Sequence, residues 1–247
     1  MEVRHVLSRR SMLPKSTKIG LLSPITWPLP PTAYGAWETV VTNIARGFVA
    51  KGFQNVTVFA TKQAKLPGVK TGAYLDHPLG THPQPGARAY ELEHARFAVE
   101  QAQKLDVLHN HFNYHPLLFH RSSSTPMVTT LHGSAAEPEA QAAYQMYRNE
   151  PYVSLSHAER RLAPDLNYLA TVYNAIDTER FCYEPNPPRG YLVQTGRLHP
   201  TKGTHHAIRL ARAVGMSLYL AGPVEGDCRS YFEEQIQPHL DQTHVFY

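Results

Sequence analysis

Cysteine is scarce, with Cys182 and Cys228 the two thiols in 247 residues. Their spacing fits no zinc or dithiol pattern, which excludes a disulfide-built scaffold and a thiol redox site and leads us to expect a reducing compartment, the cytoplasm. Long apolar runs are missing as well. Nowhere do about 18 consecutive apolar residues occur, as a bilayer-spanning helix requires. The basic opening MEVRHVLSRRSMLPKS lacks the apolar stretch of a signal peptide, so residues 1–17 read as a flexible extension. Dense Lys/Arg runs are also absent although the formal net charge is +4, so nucleic acid is not an expected partner. The mild positive balance suits phosphate-bearing ligands. Peripheral membrane contact stays open, with no basic amphipathic helix to carry it. There is no G-x-S-x-G elbow and no cysteine in an activating context, which argues against a hydrolase.

What the chain does have is alternation. KIGLLSP (18–24) is a short apolar run that reads as a buried strand, and the proline-rich ITWPLPPTAYG after it reads as a loop. Trp37, Val40, Val41, Ile44, Ala45, Phe48 and Val49 then recur at helical spacing, with Glu38, Asn43, Arg46 and Lys51 assigned to other faces, until Gly52 ends the helix. NVTVFATK (55–62) follows as the next strand. Strand, helix and strand in this order form a βαβ unit with parallel strands. The segment LPGVKTGAYLDHPLGTHPQPG reads as a loop. After it come a helix over 87–104, strand DVLHNHF, a short helix, strand PMVTTLHG (126–133), a helix over 138–149, and strands at 152–156 and 168–176. The reading is an open, doubly wound sheet of about six parallel strands. CYEPNPPRG (182–190) then looks like a linker. Beyond it YLVQTGRL, TKGTHHAIRLARAVG, SLYLAGPV, YFEEQIQPHL and HVFY read as strand, helix, strand, helix and strand. An α/β domain of ordinary size takes on the order of 100–150 residues, so residues 191–247 are expected to be part of a second domain, following an N-terminal domain over 18–181.

Ligands of parallel α/β sheets bind beyond the carboxyl ends of the strands. In PPTAYGAWE, Tyr34 and Gly35 lie there, where a glycine permits close backbone approach and a helix N-terminus favours an anion; a turn that simply needs glycine fits equally well. In GRLHPTKG (196–203), Arg197 leaves a strand and Lys202 stands at a helix start between Gly196 and Gly203, two cations suited to a diphosphate, although a solvated surface pair fits the same spacing. The G-K-[ST] order of a Walker loop is absent. In TTLHG, His132 ends a strand with Gly133 after it, a position that faces a crevice, although a lone histidine there also reads as a hydrogen-bonded structural residue. In DVLHNHFNYHP, three histidines fall within seven residues: His109 and His111 share a strand face, while His115 lies in the loop beyond. Such a pair can chelate, but strong zinc signals add a third ligand at recognised spacing.

Taken in order, PPTAYGAWETVVTNIARGFVAKG, DVLHNHF, TTLHG, YVSLSHAERR, LATVYNAID, TGRLHPTKGTHHAIRLA and LYLAGPV resemble the family 4 glycosyltransferases, from about Lys18 onward. The resemblance implies the GT-B fold: a doubly wound Rossmann-like N-terminal domain on the acceptor side and a second Rossmann-like, nucleotide-sugar-binding domain, here incomplete. It implies an enzyme that moves a sugar, with retention, from a nucleotide-diphosphate sugar to a glycan, lipid-linked or small-molecule acceptor. The donor is then a substrate, and neither a cofactor nor a bound metal is expected. By the same resemblance His132, Arg197 and Lys202 are catalytic. Gly35, Asn174, Gly196, Arg197, Lys202 and Gly203 bind the donor, and Tyr34, His109 and His111 line the acceptor side. Ala36 and Ala175 stand where relatives often have glycine. The family's C-terminal acidic motif, two glutamates seven residues apart, has no counterpart before Tyr247, so impaired turnover is expected of this chain. Two rival readings are a non-catalytic nucleotide-sugar-binding remnant and a GT-B-fold nucleotide-sugar epimerase.

Overall fold

A computed structural model describes residues 13–247 except Ser134, Ala136, Cys182 and Glu225. The extension expected over 1–17 falls mostly outside the described residues. By its internal contacts the chain divides into unit 1, Met1–Asp177, and unit 2, Thr178–Tyr247.

Unit 1 is built from β1 (Lys18–Leu22), α1 (Ala36–Ala50), β2 (Asn55–Ala60), β3 (Lys70–Ala73), α2 (Ala87–Ala102), β4 (Val107–Asn110), α3 (Leu117–His120), β5 (Met127–Thr130), α4 (Pro138–Met146), β6 (Tyr152–Ser154), α5 (His157–Arg160) and β7 (Tyr168–Thr171). Its strands form one seven-stranded sheet in the order β3-β2-β1-β4-β5-β6-β7, and every neighbouring pair is parallel. Side chains alternate across a strand, so Leu21 and Leu22, both fully buried, enter different apolar clusters. Leu21 packs with Val41 and Ala45 of α1, and Leu22 belongs with Ala95 and Ala98 of α2 and Tyr144 of α4.

The sheet has one strand more than the sequence suggests. β3 lies within a segment that reads as loop because Lys70, Thr71, Gly72 and Ala73 are polar or small and occupy a partly exposed sheet edge, where burial imposes no apolar pattern. In contrast, β7 stops at Thr171 rather than running to 176. Its partner β6 ends at Ser154, whose carbonyl accepts the last bond, from Val172 N at 2.9 Å. Glu38 also departs from its expected place: it is buried, and its carboxylate accepts a bond from Trp27 N at 3.1 Å, tying the loop after β1 to the first turn of α1.

Unit 2 holds β8 (Tyr191–Thr195), α6 (Thr204–Val214), β9 (Ser217–Ala221), α7 (Arg229–Gln235) and β10 (Val245–Phe246). Its three parallel strands run in the order β10-β9-β8. Leu218, Leu220 and Val245 pack with Ile208 and Ala211 of α6 and Ile236 after α7. α7 is shorter than the helix expected up to Leu240; the chain continues as a 3-10 turn at Gln237–His239, where Pro238 has no N–H for a helical bond. No helix among the described residues is long and apolar enough to cross a membrane.

Candidate active site

In unit 1 the strand order reverses between β1 and β4, and loops leaving neighbouring strands there diverge to leave a crevice at their carboxyl ends. The loop after β1 is fastened on both sides. Ser23 N donates to Phe59 O at 3.0 Å, and Leu79 N and Gly80 N donate to Ile25 O and Thr26 O at 2.9 and 2.8 Å. Gly35 ends this loop at φ 153°, and a Cβ there would stand 2.9 Å from Pro31 and 3.2 Å from Trp27. The chain's own packing therefore requires glycine, whatever a ligand demands. Tyr34 meets Trp27 edge to face at 5.8 Å in the same loop.

β4 carries His109 at its carboxyl end with His111 just beyond, and His111 N donates to Leu22 O at 2.9 Å, which extends the β1–β4 pairing past the strand. His109 Nε2 is 2.8 Å from Thr130 Oγ1 of β5. Two residues past β5, His132 Nε2 lies 3.0 Å from His111 Nδ1. The His109 and His111 rings are 4.1 Å apart, and the indole of Trp37, in the first turn of α1, stacks on His132 at 5.2 Å. Three elements, α1, β4 and β5, thus bring four rings into one row. Burial pushes His109 and His132 down to about 4 and His111 well below the ordinary imidazole range, with neighbouring imidazoles adding to the effect on His111 and His132. The row is neutral at neutral pH.

His115, the third histidine of the sequence cluster, does not join this row. The chain turns through Asn113 at φ 53°, and His115 is buried between the rings of Phe112 and Tyr114, at 4.9 and 4.5 Å. Among the described residues no group of three His, Cys, Asp or Glu side chains is arranged to hold a metal. The close His111–His132 pairing also commits one nitrogen of each ring to the other.

Beside the row lies a cavity of about 290 Å³, lined by His109, His111 and Thr130, by Ile44 and Val153, and by Asn174 after β7. Asn174 is thereby brought to the same place as the two strand histidines. A residue that sequence reasoning missed fixes the loop carrying His132. Glu159 is 8% exposed, and its carboxylate accepts bonds from Gly133 N at 2.8 Å and Leu155 N at 2.7 Å. The signal was present as a capping box: Ser156 caps α5, accepting from Glu159 N at 3.1 Å, and Ser-x-x-Glu marks such a start. In this protein the glutamate reaches a different pair of amides.

In unit 2, Gly196 and Arg197 follow β8. Lys202 ends a 3-10 turn, Pro200–Lys202, and α6 begins only after it. The expected helix start is displaced because Gly203 takes φ 70°, a left-handed conformation that breaks the run. His199 Nδ1 accepts from Thr201 N at 3.1 Å, and Gln194 Nε2 reaches Lys202 O at 3.2 Å and Thr204 Oγ1 at 3.1 Å. These bonds fix the connection and leave the Lys202 side chain exposed, with Arg197 half-buried near the carboxyl end of β8. At the α6 terminus His205 N is directed to Tyr231 Oη at 3.3 Å, which leaves fewer amides for an anion than a bare helix start would offer. The candidate residues thus fall into two groups, one in each unit.

The fold and these groups define a class: a parallel α/β protein with a Rossmann-like sheet order and polar side chains gathered at strand carboxyl ends. The profile of Glycosyltransferase Family 4 matches residues 37–180, more than half of the chain, and the chain belongs to that family. AviGT4, a glycosyltransferase involved in avilamycin A biosynthesis, has a similar structure, with a TM-score of 0.60 at 21% identity over 93% of this chain and 62% of that one. A glycosyltransferase from Rickettsia africae ESF-5 gives a TM-score of 0.55 at 12% identity, over 93% of this chain and 67% of that one. At these identities the likeness is one of fold, and it agrees with the GT-B architecture expected from sequence. The chain spans less than two thirds of the length of AviGT4. No curated protein sequence matches it.

Proposed function

We propose that the protein acts as a retaining glycosyltransferase. Its donor is a nucleoside-diphosphate sugar and its acceptor a hydroxyl-bearing glycan, lipid-linked sugar or small molecule. The observation that carries this reading is the family match together with the neutral, ordered histidine row at the sheet's switch point. In the reaction the bond between the sugar's anomeric carbon and the diphosphate breaks. The acceptor oxygen bonds to that carbon on the same face, and the acceptor proton leaves with the diphosphate. Charge accumulates on the departing phosphate. Arg197 can meet it with paired hydrogen bonds and Lys202 with a point charge, so neither a metal nor a resident cofactor is required. His132, neutral and stacked on Trp37, contributes a hydrogen bond to the transferred sugar. His109, Asn174 and Tyr34 belong to the surface that receives donor and acceptor.

The test is equilibrium binding of UDP, GDP and ADP to this chain beside the Arg197→Ala and Lys202→Ala variants. Saturable binding of one nucleotide that weakens about tenfold or more in each variant supports the reading, since a charge-assisted hydrogen bond contributes roughly 1.5–3 kcal/mol. Binding that is unchanged in both variants overturns the assignment of the two cations. Binding without sugar transfer to any hydroxyl acceptor favours a nucleotide-sugar-binding protein over an enzyme.

A further inference from the structure

His111 is the most enclosed member of the row, and beyond lining the cavity with His109 it has no step of its own in the reaction above. Its side chain is fully buried, and its Nε2 has no hydrogen-bond partner among the described residues. Its Nδ1 faces His132 Nε2 at 3.0 Å. Geometry by itself lets either ring donate, because one nitrogen of a neutral imidazole carries the proton and the other a lone pair. The buried Nε2 decides between the two arrangements. If His132 donated, the His111 proton would have to sit on Nε2 as a buried N–H without an acceptor. If His111 donates from Nδ1, the unpaired atom is an acceptor. Orphaned buried N–H groups are rarer than under-satisfied acceptors, so the second arrangement is favoured.

We propose that His111 is a positioning residue that donates from Nδ1 to His132 Nε2, holding His132 as its Nδ1–H tautomer and making it a hydrogen-bond donor toward bound sugar. The stack of Trp37 on His132 and the hold of Glu159 on Gly133 N restrict the ring and its loop to this pairing. The proposal rests on the reading of His132 as a sugar-contacting residue, but its test does not depend on turnover.

The experiment is long-range proton–nitrogen NMR of the imidazoles in ¹⁵N-labelled protein at pH 7.5, for the wild type, His111→Phe and His111→Asn. The expected wild-type pattern has His132 protonated at Nδ1 and bare at Nε2. Phenylalanine fills the space without donating, so His132 should lose its single-tautomer pattern. Asparagine can place an amide N–H where Nδ1 was and should restore it. His132 protonated at Nε2 in the wild type overturns the proposal outright, as does an unchanged tautomer in a folded His111→Phe protein. The wild-type spectrum decides the first point even if a variant does not fold. A normal tautomer pattern in a protein that binds no nucleotide would leave the positioning role standing while the proposed reaction fails.

Discussion

The two units bury their sheets differently. Unit 1 sets seven strands between an apolar cluster built with α1 and another built with α2 and α4. Unit 2 packs one side of three strands against α6 and the segment around α7, while the alternate residues Tyr191, Val193 and Tyr219 remain 40%, 55% and 44% exposed. Parallel sheets are ordinarily covered on both faces. The contrast separates two ways of holding a site: in unit 1 the core fixes the ring row, whereas in unit 2 short-range hydrogen bonds fix the connection that carries Arg197 and Lys202.

The sharpest break of this comparison is a cavity in the better-packed unit. Leu21→Ala removes a side chain with no exposed surface and should cost about 2–5 kcal/mol. It would be read by denaturant unfolding followed through Trp27 and Trp37, which are the chain's two tryptophans and both lie in unit 1. Acid comes next. His94 is buried, donates from Nε2 to Ser23 O at 3.1 Å, and is pushed by desolvation from 6.5 to about 4. His109, His115 and His132 are also held near 4. Below pH 6.5 the unfolded chain takes up protons that the folded unit refuses, so stability is full above 6.5, falls as the pH drops, and levels off near 4. For His94 alone the loss approaches roughly 3 kcal/mol, at about 1.4 kcal/mol per pKa unit. Unit 2 has one described group with the same sign, His205, lowered by desolvation and by its neighbours His206 and Arg209, but solvent screens it near the surface, so unit 2 should lose less. Asp241 accepts bonds from the backbone of Thr243, His244 and Val245, which lower its pKa, so its contribution is present above 3.8 and disappears only in stronger acid. Hydrogen exchange of β9 amides against tryptophan fluorescence, from pH 7.5 to 4, distinguishes the two windows; parallel loss in both units would erase the distinction.

Much of this organisation is legible in the sequence, for reasons tied to particular residues. The apolar runs of β1, β2 and β5 announce buried parallel strands, and the spacing of Val41 and Ala45 gives the inner face of α1. Edges and carboxylates are less readable. β3 is polar because an edge strand can be, and Glu38 resembles any solvent-facing charge in a first helical turn until Trp27 N is seen to need it. The His111–His132 pair joins residues 21 apart on neighbouring strands. Alternation gives each side chain a face, but the strand register that makes the rings meet appears only after folding. His115 shows the converse: three histidines close in sequence are parted by a single turn.

Smaller effects refine the contrast further. Glu159→Ala strips the acceptor from Gly133 N and Leu155 N and should cost about 1–3 kcal/mol, the penalty of unpaired buried donors. It should also broaden the His132 resonances, and a stable variant with an unaltered His132 signal would show that the loop needs no such tie. Val193→Ala, on the open face of unit 2, should change stability by no more than about 0.5 kcal/mol, checked by exchange of the β8 amides. A larger loss there would mean that this face is covered in solution.

The boundary between the units falls at Asp177, and the described residues from 172 to 190 are all exposed. Arg180 and Arg189 lie within that stretch, so a brief treatment with trypsin should nick the native protein there before it reaches either sheet. The chain thus carries its own dissection points, and the fragments would let the histidine row and the cationic connection be titrated in separate tubes.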